Sequence, residues 1–277
     1  MLTLRAPLFG FVMREIVTQH QLREVVQLGF CYLCGRAFTD EEPRTRDHVP
    51  PKRIFKLDDR SPPLILLAHE KCNAAYSKVD EQAKELFALL HQGPASEPPI
   101  RTKIVGIASR NGVPSSVLLQ GLKLQPMITK ILQACHAALY GVFLPKQTPN
   151  LILPPLPEFD PKTHGVARRT LLPQHQIFCR MLKDNRRMGN VDRLHAYNGK
   201  FRFEVVWGAF DGHRAHFAAF GVDIYQWHRL GGNVLGRPQG CLGMYRMDGD
   251  TIPEGASVAP GVELGFAWKE PLNPFEE

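Results

Sequence analysis

The residues of this chain best suited to chemistry lie between Cys31 and Glu81, where Cys31-Tyr32-Leu33-Cys34, Asp47-His48 and His69-Glu70-Lys71-Cys72-Asn73 follow one another. Two ligand pairs, each with two intervening residues and set about thirty-four residues apart, match what a tetrahedral zinc takes from two turns. Cys31, Cys34, His69 and Cys72 are the expected ligands, and Gly35 lets the backbone turn after the first pair. Asp47, His48 and Asn73 make a second set: a carboxylate, an imidazole and an amide that together can hold one hard cation and one water.

On these residues the chain resembles the HNH endonuclease superfamily. The Asp47-His48 to Asn73 form is similar to the variant found in the HNH domain of RNA-guided CRISPR nucleases. The segments Asp47-His48-Val49-Pro50-Pro51-Lys52, His69-Glu70-Lys71-Cys72-Asn73 and Ser77-Lys78-Val79-Asp80-Glu81 look like those of a group of bacterial and phage HNH nucleases. The resemblance spans roughly residues 28 to 92. It implies a ββα-metal fold with His48 as general base, Asp47 and Asn73 as ligands of a catalytic cation, and the four Cys/His residues as a zinc knuckle. Two positions depart from the family pattern. His69 stands where Cys is common, a change zinc accepts. Pro63 and Leu64 stand where a middle Asn orients the base, which leaves the orienting group unassigned.

The implied reaction is hydrolysis of DNA, rather than RNA, by water activated at His48, leaving 5′-phosphate and 3′-hydroxyl ends. Carboxylate and amide oxygens are hard ligands, so Mg2+ is the expected catalytic ion, with Mn2+ or Ni2+ as substitutes and Zn2+ kept to the scaffold. Three other readings use the same residues. One is a zinc-knuckle nucleic-acid-binding protein without catalysis, another is a toxin or antiphage effector nuclease controlled by its C-terminal domain, and the third is an RNase of the same site chemistry.

A net charge of +7 and a pI near 9.2 suit a polyanionic partner. Lys52, Arg53 and Lys78 flank the site as candidate phosphate contacts, while Asp80 and Glu81 are expected to cap or solubilise a helix. Cys135, Cys179 and Cys241 stand alone, which excludes a disulfide framework and implies a reducing, cytoplasmic setting. The apolar run Leu8–Met13 is too short for a membrane span and lacks a cleavage site. No Walker-type loop, dinucleotide-binding glycine pattern or G-x-S-x-G elbow is present.

These groups need an α+β scaffold to hold them. Apolar spacing predicts a helix within Arg14–Leu28, a short strand at Asp47-His48, a second over Leu64–Leu67 and a helical arm from His69 to Leu90. Gln92–Pro99 reads as a linker, and a helix beginning at Pro126 runs to about Tyr140, with Ile128, Ile131, Leu132, Cys135 and Leu139 on one face and His136 beside them. Pro145–Pro161 should run extended, and Ile177, Phe178, Met181 and Leu182 suggest a further helix. Phe201, Phe203 and Val205 alternate with polar residues ahead of Asp211-Gly212, which predicts an antiparallel hairpin with His213–Phe220. Strands near Cys241–Tyr245 and Leu264–Trp268 would complete its sheet. The chain thus divides into a nuclease module with its zinc knuckle (1–92), a helical and Pro-rich connection (93–163) and a separate α+β accessory domain containing an antiparallel sheet (164–277). That last domain selects substrate, binds a protein partner or forms a homodimer.

Overall fold

The computed structural model describes residues 14–90, 103–110, 113–120, 124–148, 150–153, 159–160, 165–166, 173–209, 216–224, 241–246 and 252–259. The expected strand at Leu264–Trp268, the turn at Asp211-Gly212 and the apolar run Leu8–Met13 lie outside these residues.

Strand β1 (Glu15–Ile16) leads into helix α1 (Gln19–Glu24), which Thr18 and Gln21 cap reciprocally before a 3-10 turn over Val25–Gln27. The helix is shorter than expected because Glu15 and Ile16 are drawn into a sheet. Strands β2 (Arg44–His48) and β3 (Ile65–His69) form an antiparallel pair with Asp47 opposite Leu66 and His48 opposite Ile65. The expected arm is two helices, α2 (Glu70–Ala74) and α3 (Ser77–Leu90). It breaks where Tyr76 N donates to Asn73 O at 3.0 Å, a tighter turn than an α-helix makes.

Strands β4 (Lys103–Arg110) and β5 (Val113–Gln120) pair with each other, and α4 (Leu124–Tyr140) follows with Pro126 in its first turn. The Pro-rich stretch contributes β6 (Asn150–Leu153) and β7 (Phe159–Asp160), which pairs with β8 (Gly165–Val166) just beyond it. Helix α5 (Pro173–Arg187) precedes β9 (Asp192–Ala196), β10 (Phe201–Ala209), β11 (His216–Ile224) and β12 (Cys241–Arg246). The expected hairpin is β10 with β11, Phe201 opposite Ile224. The fold is mixed α+β. Its main sheet has six strands in the order β1-β9-β10-β11-β12-β6, antiparallel except where β1 joins β9 in parallel.

Helix α4 is the centre of the core. Met127, Ile128, Ile131, Leu132, Ala134 and Cys135 are buried, and so are the polar Lys130, Gln133 and His136. Toward the sheet, the His136 ring meets Tyr245 and Trp207 edge-on, and Tyr140 donates its hydroxyl to Asp192 Oδ2 at 2.8 Å. Gln133 donates its amide N–H to the Leu144 carbonyl at 3.0 Å, and His136 Nδ1 lies 2.9 Å from the Tyr245 hydroxyl, so each of these buried side chains has one polar partner. Toward β2, Lys130 reaches the Asp47 carboxylate. The other sheet face carries α5, from which Arg186 pairs with Glu204.

The apolar core runs across the boundaries expected near residues 92 and 163: Leu66, Ile128 and Phe203 belong to one continuous cluster. Among the described residues, no helix is long and apolar enough to cross a membrane.

Candidate metal centre and the Asp-His-Asn site

The knuckle is set by its backbone. Cys31 O accepts from Cys34 N at 3.3 Å and from Gly35 N at 2.8 Å, while Cys31 N donates to Arg36 O at 2.9 Å. Gly35 sits at φ +76°, and a Cβ there would come within 2.5 Å of the Phe143 ring, so both backbone and packing require glycine. His69 ends β3 and Cys72 lies one turn into α2, which brings the second pair against the first.

The ligand atoms of Cys31, Cys34, His69 and Cys72 all lie within 4.8 Å of one another. A zinc tetrahedron with bonds of about 2.1–2.3 Å has edges near 3.6–3.8 Å, so small side-chain rotations close the cluster onto an ion. His69 Nδ1 is 3.4 Å from Cys34 Sγ, and its Nε2 lies 2.8 Å from Glu42 Oε2, while Arg36 holds the other oxygen of that carboxylate, Oε1, at 3.0 Å. One ring nitrogen facing the thiols and the other a carboxylate is how a metal-bound histidine is oriented, although the His69–Glu42 pair falls short of hydrogen-bond alignment here. The peptide N–H of His69 points at Cys31 Sγ from 3.4 Å. Burial, then the neighbouring Cys34 and Cys31 sulfurs, push the Cys72 thiol up to about 12. Three adjoining thiols ionise together only when a cation neutralises them. The four residues fit a structural zinc, and Glu42 is the supporting residue that ligand spacing did not reveal.

Asp47 and Asn73, 26 positions apart, meet. With its NH2 turned inward, Asn73 donates to Asp47 Oδ2 at 3.0 Å and Oδ1 at 3.3 Å. With its oxygen turned inward, two acceptors face each other, an arrangement only a cation between them makes favourable. Tyr32, within the knuckle itself, donates its hydroxyl to Oδ2 at 2.5 Å, and burial followed by the Asp47 charge holds that phenol well above its ordinary range.

The cation found at this carboxylate belongs to the protein. Lys130 Nζ lies 3.0 Å from Asp47 Oδ2, 3.2 Å from Oδ1 and 2.9 Å from Asp80 Oδ2, and its side chain is 1% exposed. The ammonium also sits over the Tyr76 ring, 5.4 Å from its centroid. The expectation that Asp80 caps or solubilises α3 is therefore corrected: one turn beyond Tyr76 it points inward, because a buried ammonium needs its charge. Burial raises the Asp80 carboxyl, and Lys130 opposes that rise. As they stand, Asp47 and Asn73 do not fit Mg2+, Mn2+ or Ni2+, since both carboxylate oxygens already face an ammonium.

His48 closes β2 half-buried. Burial, then the charge of Lys52, lowers its imidazole below the ordinary value; Arg46 adds to this, and Asp47 opposes it. A neutral ring at pH 7 has the protonation state a base requires. Lys52 and Arg53 lie exposed on a 3-10 turn just past Pro51, and Lys78 is exposed in the first turn of α3. Compared with protein-family models, curated proteins and solved structures, the chain matches none.

Proposed function

We propose that the chain is a zinc-braced nuclease that hydrolyses DNA phosphodiester bonds with His48 as general base. One observation carries the reading: Asp47, His48 and Asn73 gather on a two-strand hairpin and the helix after it, beside a four-ligand Cys/His cluster. His48 takes a proton from water, the water oxygen bonds to phosphorus, the bond from phosphorus to the 3′ oxygen breaks, and that oxygen takes a proton from solvent. Arg46 and Lys52, close enough to His48 to shift its titration, supply positive charge where a phosphate would sit. Zinc, held by Cys31, Cys34, His69 and Cys72, would fix the turn and the start of α2 and leave the chemistry to these side chains.

The test is incubation of wild type and His48→Ala with supercoiled plasmid and with RNA. The variant should cleave about 10²- to 10⁴-fold more slowly with unchanged zinc content, and a fully active variant would remove His48 from the role. A second reading, a zinc-knuckle nucleic-acid-binding protein without catalysis, is favoured by Lys130 standing on the Asp47 carboxylate. DNA binding by the wild type with no cleavage under any metal condition would decide for it.

A further inference from the structure

We infer that Lys130 is the resident cation of the Asp47 site, so that its ammonium and a divalent metal ion are mutually exclusive occupants. Lys130 is the one Lys, Arg, Asp or Glu among the seventeen residues of α4. A charge enclosed in an apolar helix is tolerated only when paired, and here the pairing comes from β2 and α3, through Asp47 and Asp80. The dependence runs both ways. Asp47 is 4% exposed, Asp80 has a buried oxygen with no hydrogen-bond partner, and two carboxylates sharing one ammonium repel each other once it is withdrawn. What then restores neutrality is a second cation, for which Asp47, Asp80 and the Asn73 oxygen form a hard, all-oxygen ligand set.

Both Asp47 oxygens and Asp80 Oδ2 are turned to one ammonium, so a divalent ion that uses the same three oxygens would take the place of Nζ, and the repulsion of two cations at contact distance adds to the loss of ligand charge. Metal entry therefore requires Lys130 to leave, and Lys130 is carried by the helix that also packs against the main sheet through His136 and Tyr140.

The assignment uses the nuclease reading only to treat Asp47 as a cation ligand, and metal binding can be measured apart from cleavage. Zinc-loaded wild type, Lys130→Ala and the double variant Lys130→Ala/Asp47→Asn are titrated with Mn2+, following the electron paramagnetic resonance signal of the free ion. Lys130→Ala should bind one Mn2+ at least about a hundredfold more tightly than wild type, and the double variant should lose that site. A wild type that binds one Mn2+ as tightly, at a site lost on Asp47→Asn, would overturn the assignment. So would a folded, zinc-loaded Lys130→Ala that binds none. If Lys130→Ala loses its zinc, Lys130→Met, which keeps the buried stem, replaces it under the same two criteria. Plasmid cleavage recorded on the same samples separates the two questions: a new Mn2+ site in Lys130→Ala with no cleavage by any protein supports the Lys130 assignment and ends the nuclease reading.

Discussion

Tyr197 stacks on Phe55 with ring centroids 3.9 Å apart and planes 8° apart, and its hydroxyl donates to the Pro50 carbonyl at 2.7 Å. The turn between β9 and β10 thereby grips the segment that leaves His48. Its backbone joins in, with Tyr197 N donating to Pro62 O at 2.7 Å. The same turn thus touches both ends of the one loop that joins the two strands of the hairpin carrying Asp47 and His48.

This clamp predicts a shared unfolding transition. Tyr197→Phe should cost about 1–3 kcal/mol by stranding the buried Pro50 carbonyl, and Tyr197→Ala about 3–5 kcal/mol by removing the stacked ring as well. Urea unfolding followed by Trp fluorescence and by zinc release should give coincident midpoints that shift together. Separate midpoints would show that the hairpin and the sheet are stable independently.

Metal content gives the second prediction. The purified protein should hold one zinc per chain, and Cys31→Ser or Cys72→Ser should lose it together with the local fold. Glu42→Gln removes only the carboxylate beside His69, so zinc affinity should fall by roughly 10- to 100-fold in a chelator competition while the fold persists. An unchanged affinity would mean that Glu42 does not orient His69.

The exposed cations give the third. If Lys52, Arg53 and Lys78 meet phosphates, each replacement by Ala should weaken binding to every DNA sequence alike and reduce the slope of log K against log salt by about 0.9. Binding isotherms at several salt concentrations measure this. A triple variant with unchanged slope would move the contact to the Arg186-Arg187 end of α5, although Arg186 is already paired with Glu204.

His136 supplies a pH dependence of stability. Burial lowers its imidazole from 6.5 to about 3. The unfolded chain therefore takes up a proton that the folded chain refuses between those values. Its contribution to stability is full above pH 6.5 and is lost at roughly 1 kcal/mol per pH unit as the pH falls toward 3. His136→Gln should flatten that part of the profile of melting temperature against pH. An identical slope in the variant would assign the acid sensitivity to other groups.

What was legible in the residues follows from how local each signal is. The two x-two-residue pairs and Gly35 state the knuckle within a few positions, and the alternation from Phe201 to Val205 states a strand facing a core. Burial breaks that alternation at Val206 because α5 covers the second face, a fact held in a distant segment. The β4–β5 pair has a local signal too, Asn111-Gly112 between two stretches that pair antiparallel. Glu42 and Tyr197 act through contacts across long sequence separations, which no local period encodes.

Lys130 is the instructive case. It lies within the helix that the stripe of Ile128, Ile131 and Leu132 predicts, but an apolar stripe says nothing of a charge between its members. A single charge in a helix otherwise free of Lys, Arg, Asp and Glu is itself a signal, because a helix buried on most sides must provide that charge with acidic partners. The sequence could announce the need for a partner without naming Asp47 and Asp80.

The parallel pairing of β1 with β9 has a bearing on how the protein is made. Arg14 and Asp192 hydrogen-bond across 178 positions of sequence. During synthesis at about 5–20 residues per second, the amino-terminal strand waits roughly ten to forty seconds before its neighbour exists. Lys130 and Tyr197 likewise emerge well after the hairpin they secure. The knuckle segment can capture zinc early, but its Asp-His-Asn groups acquire their final surroundings only when the later strands leave the ribosome.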